Sequence, residues 1–251
     1  MAAARNAPRP AKAMSERAPR QLTLGLSLPA AMGRADFLES PSNALALSAI
    51  EDKAGLPGGK LVLTGPGGAG KTHLARIWAA RSAARWIDPR TLDGELRALL
   101  SLPAGAAAVI DDAEALAGHR AAEEALFHLH NHLMAGRGSL LLTARAPVRD
   151  WGLDLPDLSS RLTAAAHVAL APPDDALIAA VLVKLFNDRQ IAVQPSLIDY
   201  LLGRMERSLA SARALVARLD TRAAALKRPV TRQLAQEVLA EAGDAGAEGM
   251  R

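Results

Sequence analysis

The chain has no cysteine among its 251 residues. That excludes disulfides, thiolate metal sites and cysteine nucleophiles. A reducing compartment suits such a chain, and the expected location is cytoplasmic. Aromatic residues are scarce: three Trp, three Phe and one Tyr. Stacking platforms for nucleic-acid bases need more of them. No apolar run approaches the roughly 20 residues that span a bilayer, so no membrane segment is expected. Most of the chain also lacks a charge excess. The net charge is +4, and residues 1–20 supply it with Arg5, Arg9, Lys12, Arg17 and Arg20 against Glu16 alone. The remainder balances, so direct sequence-specific DNA binding is not expected.

Residues 1–20 are rich in Ala, Pro and Arg and are expected to form a disordered basic tail. Their acid-poor, Arg-containing composition is that of a transit peptide, but Pro8, Pro10 and Pro19 interrupt any amphipathic helix. Met14 is an alternative start. Hydrophobic residues make up 50% of the chain, enough for a sizeable core. Apolar runs alternate with helical patterns, the signature of an α/β domain with a mostly parallel sheet. Strands are expected at 60–64, 85–87, 106–110, 139–143 and 167–170. Helices are expected at 43–53, with Ser42 as cap, and at 71–83, 91–100, 123–134 and 158–162. Pro172 and Pro173 mark a boundary. Beyond it the pattern is helical at 174–188, 196–205, 208–226 and 231–240. This divides the chain into a core over 30–172, a small all-α lid over 173–241 and a frayed tail over 242–251.

The segment Gly65-Pro66-Gly67-Gly68-Ala69-Gly70-Lys71-Thr72 matches the phosphate-loop pattern G-x-x-x-x-G-K-[ST], between an expected strand and an expected helix. Glycines let the backbone approach a phosphate, and the loop amides and helix N-terminus point positive charge at it. Lys71 would reach the β- and γ-phosphates, and Thr72 would offer its hydroxyl to Mg²⁺. The strand at 106–110 then delivers Asp111 and Asp112. Asp111 would hold Mg²⁺ through water, and Asp112 would orient an attacking water or help order the metal shell. The expected cofactors are ATP or ADP with Mg²⁺. His128, His130 and His132 lie along one expected helix. The first and last are spaced to share a metal, but without a matching acid they read as surface or packing residues.

Gly70-Lys71-Thr72-His73-Leu74, followed by Ile110-Asp111-Asp112, resembles the AAA+ ATPases of the bacterial replication initiator DnaA and its relative Hda. Asp36-Phe37-Leu38 and Pro41-Ser42-Asn43 are similar to that family's nucleotide-base segment. The resemblance implies an AAA+ phosphate-loop core with a five-stranded parallel sheet, an αβα sandwich, plus a helical lid. It makes Phe37, Leu38 and His73 nucleotide-binding residues. Leu155-Pro156-Asp157-Leu158-Ser159-Ser160-Arg161-Leu162 is similar to the segment carrying the family's arginine finger. Arg161 would therefore act on a neighbouring subunit's γ-phosphate; the alternative is a surface ion pair with Asp157. Gln21-Leu22-Thr23-Leu24-Gly25-Leu26 resembles the peptide with which Hda binds the replicative sliding clamp. Gln21, Leu22, Leu24 and Leu26 would make that contact; the alternative is an alternating strand packed on the domain.

The chain ends soon after the expected lid, where the initiator carries a DNA-binding helix-turn-helix domain. The resemblance therefore implies a regulator of the Hda kind, with DnaA and the DNA polymerase III sliding clamp (its β subunit) as partners and homo-oligomers possible in principle. It would stimulate hydrolysis on DnaA and stop repeated initiation. Its own hydrolysis is expected to be weak. Thr143-Ala144-Arg145 has Arg where the family has Asp, and Ala210 takes the place of the lid's sensor arginine. Arg207 and Arg213 are candidates to replace it, although the 3.6-residue period points both elsewhere. An autonomous AAA+ ATPase, such as a helicase loader, and a DnaA-like DNA-binding adaptor remain the alternatives.

Overall fold

The computed structural model describes residues 32–52 and 55–248. The expected basic tail and the clamp-binding segment with Gln21, Leu22, Leu24 and Leu26 lie outside the described residues. Five strands form one parallel sheet: β1 (Lys60–Thr64), β2 (Arg85–Ile87), β3 (Ala107–Ile110), β4 (Ser139–Ala144) and β5 (Ala166–Ala169). Their order across the sheet is β2-β3-β4-β1-β5. Chain connections from β1 run to one side and from β4 to the other. Loops leaving the strand ends diverge there and open a crevice.

The central strands alternate between two apolar layers. Leu61, Leu63, Val109 and Leu141 face α1 (Ala44–Glu51) and α2 (Lys71–Ser82). Val62, Ile110, Leu140 and Leu142 face α3 (Leu92–Leu99), α4 (Arg120–Ala135) and α5 (Pro156–Thr163). Both faces of these strands are therefore buried, as a parallel sheet demands. The sheet is an αβα sandwich, and the fold class read from the sequence is the one observed.

A third apolar cluster joins α6 (Asp175–Asp188), α7 (Pro195–Leu202), α8 (Leu209–Leu226) and α9 (Arg232–Glu248) around Phe186, Leu201 and Leu219. Asp174 caps α6 by accepting from the Leu177 amide at 2.7 Å. Ser208 caps α8 in the same way through Ser211. Two local expectations need correction. Asn43, not Ser42, occupies the N-cap of α1, because its amide is tied to Ser40 N and Leu38 O and so fixes the turn into the helix. Helix α9 runs to Glu248 instead of fraying from 242, since Ala and Glu favour helix strongly enough to carry the two glycines. Among the described residues no helix is long and apolar enough to cross a membrane.

One buried acid joins the loops before α4 and α5. Glu123 is fully buried and accepts hydrogen bonds from the amides of Gly118 (3.0 Å), Asp154 (3.1 Å) and Leu155 (2.7 Å). Removing it strands three amides, each costing roughly 1–3 kcal/mol when left unpaired. Glu123→Ala is expected to lower unfolding free energy by about 3 kcal/mol in urea titrations, with Glu123→Gln recovering part of it. An unchanged midpoint would mean that water replaces the carboxylate.

Candidate functional site

The phosphate loop leaves β1 at Gly65. Its φ is +149°, and a Cβ there would stand 2.6 Å from Leu170 O. Glycine is therefore required by space as well as by backbone. Gly70, at φ +102°, turns the chain into α2, whose first residue is Lys71. The free amides of that helix start face the loop and form an anion cradle. Lys71 is buried, and its Nζ donates to the carbonyls of Gly65 (2.7 Å) and Pro66 (3.0 Å). Burial holds its pKa below the ordinary lysine value.

The acidic half comes from β3 through a contact supplied by β4. Thr72 Oγ1 donates to Asp111 Oδ2 at 2.9 Å, and Thr143 Oγ1 donates to Asp111 Oδ1 at 2.6 Å. The same Thr143 oxygen accepts from the Asp112 amide at 2.9 Å. One buried hydroxyl thus orients both aspartates. Asp112 adopts a left-handed backbone, φ +51°, a conformation that Asp and Asn tolerate better than most side-chain-bearing residues, and it lines the cavity beside the loop. Thr72 and Asp111 fit Mg²⁺, which takes one or two protein oxygens and fills its shell with water and phosphate. Among the described residues no group of three or more His, Asp or Glu could hold a metal unaided. His132 Nε2 donates to Leu102 O at 2.9 Å, and His130 is buried against Lys60 and Asn131.

The cavity holds about 270 Å³. Gly67, Gly68 and Gly70 line it, with Lys71, Thr72 and His73 on the loop side, Asp112 and Arg145 on the sheet side, and Ala210 and Arg213 from the lid. The Arg145 amide is held by Glu114 at 2.9 and 3.0 Å. The lid touches the loop directly: Leu209 N donates to Gly68 O at 3.0 Å. A Cβ on Gly68 would come within 2.6 Å of Ser208 Cβ.

The expectation that Arg207 and Arg213 both point away is corrected for one of them. Arg207 pairs with Asp175 at the surface (3.0 Å). Arg213, three residues after Ala210, shares its helix face and lines the cavity. Its Nη2 donates to His73 Nδ1 at 3.3 Å. His73 Nε2 in turn donates to Gly33 O at 3.0 Å, since a carbonyl only accepts. His73 is therefore neutral, with its proton on Nε2. Burial pushes its pKa down, and the Arg213 guanidinium pushes it further.

Phe37 stands edge-on to His73, with ring centroids 5.1 Å apart, and both belong to the shell beneath the loop. Neither Phe37 nor Leu38 lines the cavity itself; Leu38 packs against the lid core. Arg161 lies outside this site. It makes no ion pair with Asp157 or with any other described acid; its guanidinium sits over the Phe127 ring at 5.1 Å. Thr143 as orienter of the aspartates, Arg213 and Glu123 are the residues whose roles the sequence did not reveal. Only Glu123 had a signal, an acid among apolar helix positions.

No family model matches the chain. Solved structures do. Domain III of the Thermotoga maritima replication initiation protein DnaA superposes with a TM-score of 0.73 at 20% identity, covering 85% of this chain and 98% of that one. The fold is AAA+. AMPPCP-bound DnaA from Aquifex aeolicus matches at TM-score 0.60 and 18% identity over 72% of this chain and 62% of that one. A Thermotoga maritima RuvB variant matches at TM-score 0.59 and 19% identity, over 78% and 65%. Likeness to RuvB as well as to DnaA places the chain in the AAA+ fold without selecting one activity.

His73 and His130 both hold their pKa below the ordinary value, burial being the main cause. The unfolded chain therefore binds more protons than the folded one as pH falls through about 6.5. Stability that is fully present above that pH is expected to decline from about pH 6.5 toward 5, before most carboxylates titrate. Urea unfolding at stepped pH measures this, and His73→Gln should flatten the slope.

Proposed function

We propose that this chain is an Hda-like regulator. It binds ATP or ADP with Mg²⁺ at Gly65–Thr72 and presents Arg161 to ATP held by a DnaA subunit. The observation that carries the reading is where Arg161 stands. Its carbonyl accepts from Lys60, which opens β1, at 3.0 Å, whereas the phosphate loop leaves the other end of that strand. Five residues at about 3.3 Å each separate the two ends by roughly 16 Å. Arg161 is therefore far from the chain's own phosphate loop, which supports reading it as a group for a phosphate on another molecule. It is exposed and, among the described residues, unpaired with any acid. Its neighbours Lys60 and His130 carry no ion pair either. Such a group stabilises the charge that spreads over the transferred phosphoryl oxygens.

The chain's own site supports binding more than turnover. Lys71 and the loop amides would hold the phosphates, and Thr72 with Asp111 would hold Mg²⁺, which neutralises phosphate charge when bound. Arg145 places a cation where an acid would help polarise a water, Ala210 offers no charge from the lid, and Arg213 is engaged with His73. One observation favours an autonomous ATPase instead: Asp112 lines the cavity and, among the described residues, its carboxylate has no hydrogen-bond partner, so it could orient a water. DnaA bound to AMPPCP and single-stranded DNA, at 18% identity, supports a nucleotide as the ligand. Docking on the sliding clamp through Gln21, Leu22, Leu24 and Leu26 completes the proposal. An extended peptide can seat its leucines in an apolar pocket while the glutamine amide hydrogen-bonds.

The test is ATP hydrolysis by DnaA with added chain, with and without DNA-loaded clamp. Arg161→Ala is expected to cut the stimulated rate by about 10³-fold or more with nucleotide and clamp binding intact. Lys71→Ala is expected to weaken the chain's own nucleotide binding at least tenfold, read by fluorescent-nucleotide titration. Gln21→Ala should lose clamp binding alone. Robust phosphate release by the chain by itself, with no effect on DnaA, would move the reading to the autonomous ATPase.

A further inference from the structure

Helix α5 carries Arg161 and has only eight residues. Alone, a helix that short is marginal in water, yet both of its ends are held by side chains from elsewhere. At its start Pro156 sets the first turn, and Glu123 accepts from the amides of Asp154 and Leu155. At its end, where the last carbonyls have no helical partner, Lys60 Nζ donates to Arg161 O at 3.0 Å. His167 Nε2 donates to Leu162 O at 3.1 Å. The guanidinium of Arg161 lies over the Phe127 ring, 5.1 Å from its centroid.

Three of the groups involved belong to one face of α4. Glu123, Phe127 and His130 are spaced i, i+4, i+7, a single stripe on a helix. His130 Nδ1 donates to Asn131 Oδ1, leaving Nε2 to accept from Lys60 Nζ at 3.4 Å. Lys60 is half-buried and, among the described residues, has no carboxylate partner. Its ammonium is thus spent on two acceptors, the Arg161 carbonyl and the His130 ring, and the stripe extends through Lys60 to the residue after Ser160.

We propose that Phe127 and Lys60, set by this face of α4, are positioning residues for Arg161. Phe127 gives the guanidinium a flat surface that limits its swing, and Lys60 fixes the backbone from which it springs. The proposal rests on the reading of Arg161 as the group delivered to a partner's phosphate. The physical need is plain: an arginine side chain has many rotamers, and ordering it during the reaction costs entropy that a preformed contact removes in advance. Cation–π contact does this while leaving all five N–H donors free for an anion. A carboxylate partner would take up to two of them and part of the charge.

The experiment measures ATP hydrolysis by the ATP-loaded AAA+ partner as a function of chain concentration, separating the maximal stimulated rate from the half-saturating concentration. Phe127→Leu and Lys60→Met are expected to lower the maximal rate about tenfold while half-saturation stays within about twofold. Phe127→Tyr and Lys60→Arg are expected to restore most of it, since each keeps the relevant contact. Far-UV circular dichroism and nucleotide titration of each variant report whether the fold persists. An unchanged maximal rate in both disruptive variants overturns the proposal. So does a change confined to half-saturation, which would make these residues part of a docking contact, and so does Phe127→Tyr failing as badly as Phe127→Leu. If Arg161→Ala itself leaves stimulation intact, the reading of Arg161 fails, and that result is distinct from all of these.

Discussion

The order of the strands is the constraint on which the site depends. Because β4 lies between β3 and β1, the buried Thr143 hydroxyl stands between the aspartates that follow β3 and the loop that follows β1. It donates to Asp111 and accepts from the Asp112 amide, while Thr72 reaches Asp111 from the loop side. Three strand ends are thereby tied through one carboxylate. Both faces of these strands are packed with apolar side chains, so the carboxylate and the hydroxyls sit on a rigid base. Preorganisation of this kind is what a phosphate site needs, since its chemistry is mostly positioning and charge.

The lid is coupled to that base through polar contacts at its edge and an apolar core of its own. Leu209 N meets Gly68 O, and Arg213 meets His73, which meets Gly33. The chain of contacts runs from lid to phosphate-loop helix to the segment before Phe37. The Arg213 and Gly33 links both pass through a neutral histidine, whereas the Leu209 link is backbone to backbone. Ala210 leaves room at the cavity wall where a larger side chain would fill it.

The opposite end of the sheet has the reverse character. There the half-buried Lys60 and the exposed Arg161 have no acid partner among the described residues, although Arg85 at the start of β2 pairs with Glu95 at 3.0 Å, and the short helix that carries Arg161 is fixed at both ends by side chains distant in sequence. Lys60 and Arg161 are 101 residues apart, and Glu123 and Leu155 are 32 apart. One molecule thus has a cavity at the phosphate loop and, a strand length away, an exposed arginine outside that cavity.

Much of this was legible in the residues. The phosphate loop, Thr72 and the Asp111–Asp112 pair were readable because their chemistry is local: glycine freedom, a helix start and a carboxylate at a strand end are all set within a few residues. Alternating apolar runs gave each strand and most helices, since burial on both sheet faces needs continuous hydrophobic segments. Element ends were less legible. Asn43 displaced Ser42 as cap through its bonds to Ser40 and Leu38, and α9 outran its expected end. Arg213 was expected to point elsewhere although its i+3 spacing from Ala210 puts both on one helix face; its contact with His73, 140 residues away, is what the packed structure adds. The sequence by itself determined the αβα class, the anion cradle and its carboxylates, through local backbone and burial rules. Tertiary structure alone decided that Thr143 orients both aspartates, that Arg213 meets His73, and that Glu123, Phe127 and Lys60 hold the helix of Arg161. Those contacts join residues 31 to 140 positions apart, and only the packed sheet brings them within hydrogen-bonding range.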